Sequence, residues 1–173
     1  MRGRYAEIDT TEFKKFFESI KKSANGDFRK EFELFLEGIG NEFLRIVQDE
    51  IIRRQVMDTR LLLASFEKGA DGNIWRLEEG GMVLEVGTNV NYAKYVNDGH
   101  WTNSRGVERR FVPGYWQGDR FIYDPTAKGG MMLKQHWVEG KHYFEGALHA
   151  LDRIFPELLD AKLQEWIDNY FSG

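Results

Sequence analysis

Apolar residues recur at helical spacing through the first third of the chain, alternate with polar ones from about residue 73, and return to helical spacing near the C-terminus. Phe13, Phe16, Phe17 and Ile20 follow Asp9 and Glu12, a capping-box-like opening, and stop at Asn25-Gly26, which predicts a short amphipathic helix. Asp27 is placed to cap a second helix. There Phe28, Phe32, Phe35, Leu36, Ile39, Phe43, Ile46, Val47 and Ile51 keep one apolar stripe. Unbroken from 28 to 54, that helix is about 40 Å long at 1.5 Å per residue. Gly38 and Gly40 mark where it breaks or packs closely. Thr59 is placed to cap a third, short helix through Phe66, ended by Gly69.

From Asn73 the period falls to two: Ile74 and Arg76, then Met82, Leu84 and Val86 against Val83 and Glu85, predict a hairpin turning at Glu79-Gly80-Gly81. Tyr92, Ala93, Tyr95 and Val96 fit a single helical turn ended at Asp98-Gly99, and Arg120 to Tyr123 fits a further strand. Val138 to Phe171 is expected to be helical, with Tyr143, Phe144, Ala147, Leu148 and Leu151 inward. Pro156 is expected to open a separate final helix that carries Leu158, Leu159, Leu163, Trp166, Ile167 and Tyr170. The order predicts a single α+β domain over 1–173: a small antiparallel sheet packed against a long N-terminal helix and C-terminal helices, with a long extended loop or arm at about 101–134. Strand-helix-strand alternation, the mark of a Rossmann fold, is not seen.

Composition narrows the function. The chain has 173 residues, 42% of them hydrophobic and 14% aromatic, enough to build a core. Cysteine is absent, which removes disulfides, thiolate metal sites and cysteine nucleophiles. Net charge is -4, which argues against a dedicated duplex-binding protein. Segment 101–140 differs from its neighbours: it is basic by two charges and holds two of the three prolines and three of the five tryptophans. No apolar run reaches the roughly 18 residues that suggest a membrane span, so no membrane partner is expected. Arg2 and Arg4 lack the apolar segment of a secretory signal behind them, and synthesis in the cytosol is expected.

Candidate chemistry is thin. His142 and His149 stand two helical turns apart, about 10 Å, too far to share a metal without a third element, and no metal or cofactor is expected. His100, Asp98 and Ser104 contain the residue types of a hydrolase triad, but such triads are recognised by geometry and not by closeness in sequence. Phosphate loops, Gly-x-Ser-x-Gly elbows and His-Glu-x-x-His motifs are all missing from the sequence. The arm interleaves Arg109, Arg110 and Arg120 with Phe111, Tyr115, Trp116 and Phe121, and Trp101 stands at its start. Single-stranded nucleic-acid binders use this mixture, and so do subunit interfaces, where Tyr, Trp and Arg are the preferred anchors. Without a partner the arm is expected to bury little apolar area. The alternatives to an interface are a small hydrolase and a single-strand-binding module.

Three segments carry a resemblance. Val56-Met57-Asp58-Thr59-Arg60-Leu61 with Ser65-Phe66 resembles the "V-D-T-G-x-L-R-x-S" stretch of the tail-completion and head-to-tail joining (neck) proteins of long-tailed bacteriophages and prophages. Val86-Gly87-Thr88-Asn89-Val90, Tyr92-Ala93-Lys94-Tyr95-Val96 and Asp98-Gly99-His100 resemble that family's "V-G-T-N-V-x-Y-A-x-Y-V-E-x-G-T" signature. His142-Tyr143-Phe144 with Ala147-Leu148 is similar to its "H-P-F-x-x-x-A-L" entry into a closing helix. Arg60 stands where the family has Gly, Asn97 where it has Glu and Tyr143 where it has Pro. Within these segments Asp58 and Thr59 are read as a helix cap, and Gly87 and Asn89 as the residues that allow the turn toward Tyr92, Tyr95 and Gly99, so the motifs set geometry. The resemblance implies a non-enzymatic virion subunit, assembled in the host cytoplasm as a ring, commonly of six copies, and joined to tail-tube or head-connector proteins. DNA would pass through its lumen, and an acidic lining would let it slide.

Overall fold

The long stripe is one unbroken helix, α1 (Asp27–Arg53), within a computed structural model that describes residues 4–7, 27–56, 60–78 and 83–171. Phe32, Leu36, Ile39, Phe43, Val47 and Ile51 are buried along it, each within four residues of the next, and Leu44 and Ile46 widen the stripe. Gly40 does not break the helix. A Cβ there would stand 2.6 Å from Leu84 Cδ2 and 2.8 Å from the Trp75 ring, so the missing side chain is what lets α1 lie against the strands behind it. A short helix, α2 (Arg60–Ala64), then buries Leu62 and leads to buried Phe66 and a turn at Gly69. The predicted N-terminal helix over Asp9 to Ile20, the cap at Asp58-Thr59 and the hairpin turn at 79–81 lie outside the described residues.

Three antiparallel strands form the first sheet in the order β1-β3-β2: β1 (Arg4–Glu7), β2 (Asn73–Leu77) and β3 (Leu84–Thr88). Central β3 pairs Leu77↔Leu84 through Asn73↔Thr88 on one side and Glu7↔Glu85 through Arg4↔Thr88 on the other. The hairpin was expected; β1 was not, because its four residues carry no alternation and its place is set by the free edge of β3. Leu84 and Val86 are buried with the α1 stripe. After β3 the chain makes one short helix, α3 (Ala93–Asp98). It closes with α4 (Tyr143–Phe171), which lies antiparallel to α1, Phe144 meeting Phe43 and Trp166 meeting Phe32.

Two expectations about α4 are corrected. The helix begins at Tyr143, not Val138, because His142 takes a left-handed φ of 49° and the stretch before it is extended. Pro156 does not open a second helix but lies inside one continuous helix. Its fixed φ is compatible with a helix, the residue is exposed, and the apolar residues Leu151, Phe155 and Leu163 continue one packed face on either side, which holds the helix together across the N–H that proline lacks.

The chain separates into two compact units, residues 1–97 with 141–173 and residues 98–140. The second unit corrects the reading of the arm as a loop: it contains five strands. Its stem pairs β4 (Gly99–Trp101) with β8 (Trp137–Glu139), bringing the Trp101 and Trp137 rings to 5.4 Å. Its sheet runs β6-β5-β7, from β5 (Arg109–Gln117), β6 (Arg120–Tyr123) and β7 (Gly130–Lys134). The strand expected at Arg120 to Tyr123 has those bounds.

Candidate interaction surface

Residues 65–66, 88–97 and 143–145 of the three motif segments meet inside the first unit. Ser65, at the end of the first motif, and Thr88, in the second, are both fully buried; Thr88 Oγ1 donates to Ser65 Oγ at 2.8 Å and Ser65 Oγ donates to the Leu62 carbonyl at 2.8 Å. Thr88 Oγ1 also accepts the Val90 N–H at 3.1 Å. That bond turns the chain out of β3, which corrects the roles given to Gly87 and Asn89. Gly87 sits inside β3 opposite Ile74, and neither residue takes a positive φ. Asn73 donates to both the Ser65 and the Gly87 carbonyls, fastening β2 to the same junction.

The second and third motifs meet at Asn97. Its buried side chain accepts the Phe144 N–H at 2.9 Å and donates to the Glu145 carboxylate at 2.8 Å, while its carbonyl accepts the His142 N–H at 2.9 Å. Asn97 thus satisfies the open N-terminus of α4 from another segment of the chain, in the manner of a helix cap. Tyr143, buried against Phe66, donates from its hydroxyl to the Ala93 carbonyl at 3.3 Å. Tyr92 is half-buried against the core and Tyr95 is exposed. Gly99 has a φ of 82°, and a Cβ there would lie 2.6 Å from the Val138 carbonyl oxygen, so the stem of the second unit requires a glycine. Ser65, Thr88 and Asn97 were missed as key residues because spacing does not reveal which polar side chains go inside.

The second unit presents the other set of candidates. Along β5, Phe111, Pro113 and Tyr115 alternate with Val112, Gly114 and Trp116. The register puts Met132 and Ile122 on the face of Phe111 and Tyr115, and Leu133 and Phe121 on the face of Arg110 and Trp116. Arg109 and Arg110 therefore point to opposite faces. Within 98–140 the buried residues are Asn103 and Gly114 alone, and Trp101, Phe111, Tyr115 and Trp116 are each more than half exposed. Phe121 is half-buried against Trp116, with ring centroids 5.4 Å apart. At the turn after β6, Asp124 Oδ1 accepts the Thr126 hydroxyl at 2.7 Å and the Thr126 N–H at 2.8 Å, which hold its carboxyl below the ordinary aspartate value.

The residues sketched as a triad do not form one by hydrogen bonding at Ser104, whose hydroxyl makes no hydrogen bond among the described residues; its carbonyl accepts the Val107 N–H. His136 is hydrogen-bonded to Thr102, and His142 and His149 are exposed.

Residues 11–99 match the family model described as "Bacteriophage HK97-gp10, putative tail-component". The chain belongs to this HK97 gp10-like family. It is 47% identical over 149 residues to the "Phage-like element PBSX protein XkdI" of Bacillus subtilis (strain 168), covering 86% of this chain and 91% of that protein. It is also 47% identical over 159 residues to "Uncharacterized protein YqbI" of the same organism, covering 90% and 95%. No solved structure gives a significant match. The family match contains the Ser65–Thr88 junction and stops at Gly99, the second residue of the second unit. A continuous stretch of 149 residues in a chain of 173 always includes residues 25–149, so the similarity to the first of these relatives runs through the second unit.

Proposed function

We propose that this HK97 gp10-like chain is a non-enzymatic structural subunit of the phage neck. It forms a ring that completes the tail or joins head to tail, with DNA passing through the lumen. The observation that carries the reading is the sheet of the second unit, whose two faces both expose apolar and aromatic side chains in a chain of a tail-component family. A three-stranded sheet is stabilised by burying at least one face, so such a surface fits a unit that is completed by neighbours. Trp101, Arg109, Arg110, Phe111, Tyr115, Trp116 and Phe121 are the anchors of that contact, to further copies of the chain and to tail-tube or head-connector proteins. Ser65, Thr88, Asn97 and Tyr143 of the motifs are engaged in internal hydrogen bonds, which suits a scaffold. The net charge of -4 suits a lumen that does not hold DNA.

Electron microscopy and immunoblotting of particles made with and without the chain test this. The expected result is a ring at the head-proximal end of the tail that contains the chain and is lost with it. Normal particles that neither contain nor need the chain would overturn the reading.

A further inference from the structure

β5 is nine residues long, and each neighbouring strand covers only part of it. β6 lies on one side, opposite Gly114 to Gln117, and β7 on the other, opposite Arg109 to Pro113. Alternate residues of a strand direct their backbone groups to the same side. The Gly114 N–H donates to the Gly129 carbonyl and the Glu108 carbonyl accepts the Gln135 N–H, so the even-numbered residues bond toward β7. The Pro113 carbonyl accepts the Asp124 N–H, so the odd-numbered ones face the side of β6. Because β6 ends opposite Gly114, the N–H and C=O groups of Arg109 and Phe111 face no strand among the described residues. Such an open edge is a template for a further strand.

Charge around this edge is of one sign. β5, β6 and β7 carry Arg109, Arg110, Arg120 and Lys134 and no carboxylate. Arg109 stands directly across from Lys134, a like-charge pair that weakens a ladder, and Arg110 points to the opposite face. Arg109, Arg110, Lys134 and the adjacent Glu108 are in no ion pair among the described residues.

We infer that the open edge of β5 takes up an extended, acidic segment of a different protein as an added strand. The inference rests on the neck-subunit reading, which makes that protein a neighbour in the particle. The backbone groups of Arg109 and Phe111 hold the segment in register, its carboxylates meet Arg109 on one face and Arg110 on the other, and exposed Phe111 adds an apolar contact. The chain's own described strands do not fit: β2, β6 and β7 each carry a cation and no carboxylate, β1 sets Arg4 against Glu7, and β8 has Glu139 alone. Two copies of the open edge would bring Arg109, Arg110 and Lys134 of each together.

Arg109→Lys and Arg110→Lys keep the charge and supply an amine that a zero-length carbodiimide joins to a carboxylate in contact. Particles carrying either variant are coupled, and the joined peptides are read by mass spectrometry. The expected result is an amide from position 109 or 110 to Asp or Glu within one segment of another virion protein. No such amide in particles that contain the chain, or amides only to further copies of this chain, overturns the inference. Phe111→Pro and Phe111→Ala give an independent reading: both lose the ring, and only proline loses the N–H, which lies outside the β5–β7 ladder. Incorporation of Phe111→Pro should fall about tenfold below that of Phe111→Ala, with hydrogen exchange of the Arg110 and Val112 amides the same in both. Equal incorporation overturns the inference, and if that exchange differs the coupling result alone decides. Absence of the wild-type chain from particles would overturn the neck reading, and this inference with it.

Discussion

Two aromatic pairs with nearly the same geometry have opposite surroundings. Phe43 and Phe144 meet edge to face at 5.5 Å between α1 and α4, and Trp116 and Phe121 meet edge to face at 5.4 Å across β5 and β6. Phe43 is 1% exposed and Trp116 is 60% exposed. The pair geometry contributes about 0.5–1.5 kcal/mol in either place. What differs is the water removed around each pair, and that term is the larger, about 25 cal/mol per Å² of apolar surface. The first unit therefore converts its aromatics into folding free energy. The second leaves most of that aromatic surface in water. Equal aromatic content in two regions of a sequence thus does not imply equal contribution to the fold.

The largest effect separates these roles from the core side. Phe43→Ala removes a ring packed against Phe144 in the centre of the first unit, and should lower unfolding free energy by about 3–5 kcal/mol in a denaturant titration. A loss of under about 1 kcal/mol, the size usual for surface positions, would mean that α1 and α4 do not share the core described here.

A smaller effect tests the polar junction inside that core. Thr88→Val leaves the Ser65 hydroxyl and the Val90 N–H without one partner each in a buried place, and should cost about 1–3 kcal/mol. Ser65→Ala should cost a similar amount, and the double variant should cost less than the two together, because the second change removes a group the first had already stranded. Strict additivity in that cycle would show that the two motif segments are not joined through this bond.

The same contrast explains what could be read in the sequence. α1 was legible because one of its faces is buried, which forces apolar residues to every third or fourth position. The β2-β3 hairpin was legible for the corresponding reason at period two. The strands of 98–140 were not, apart from Arg120 to Tyr123, because a sheet exposed on both faces imposes no alternation; Arg109, Phe111 and Tyr115 share one side with nothing selecting among them. Ser65, Thr88 and Asn97 were hidden for another reason. Each is polar and each satisfies a group far along the chain, 23 residues away for Ser65 and Thr88 and 47 for Asn97 and Phe144, and local pattern carries no record of such pairings. Trp101, Tyr115 and Trp116 stood out by residue type alone, and what the structure added is that they are exposed.

The smallest effect on stability is the most informative about function. Trp116→Ala removes a side chain that is 60% exposed and pairs with the Phe121 ring, so the main melting transition should move by no more than a surface substitution does, within about 0.5 kcal/mol. Hydrogen exchange in β5 and β6 should rise locally as the hairpin loses its ring pair, while exchange in α1 stays unchanged. Incorporation into particles should fall far more than stability does, by about tenfold or more, because the full burial of the indole is realised only when a neighbour covers it. The three measurements answer different questions. A large drop in melting would place Trp116 in a core and erase the distinction between the two units. Unchanged melting with unchanged incorporation would leave the exposed sheet without a role in assembly, and the interface would have to be sought on another surface. Unchanged melting with lost incorporation is the one combination that follows from a sheet whose apolar faces are completed by a neighbour.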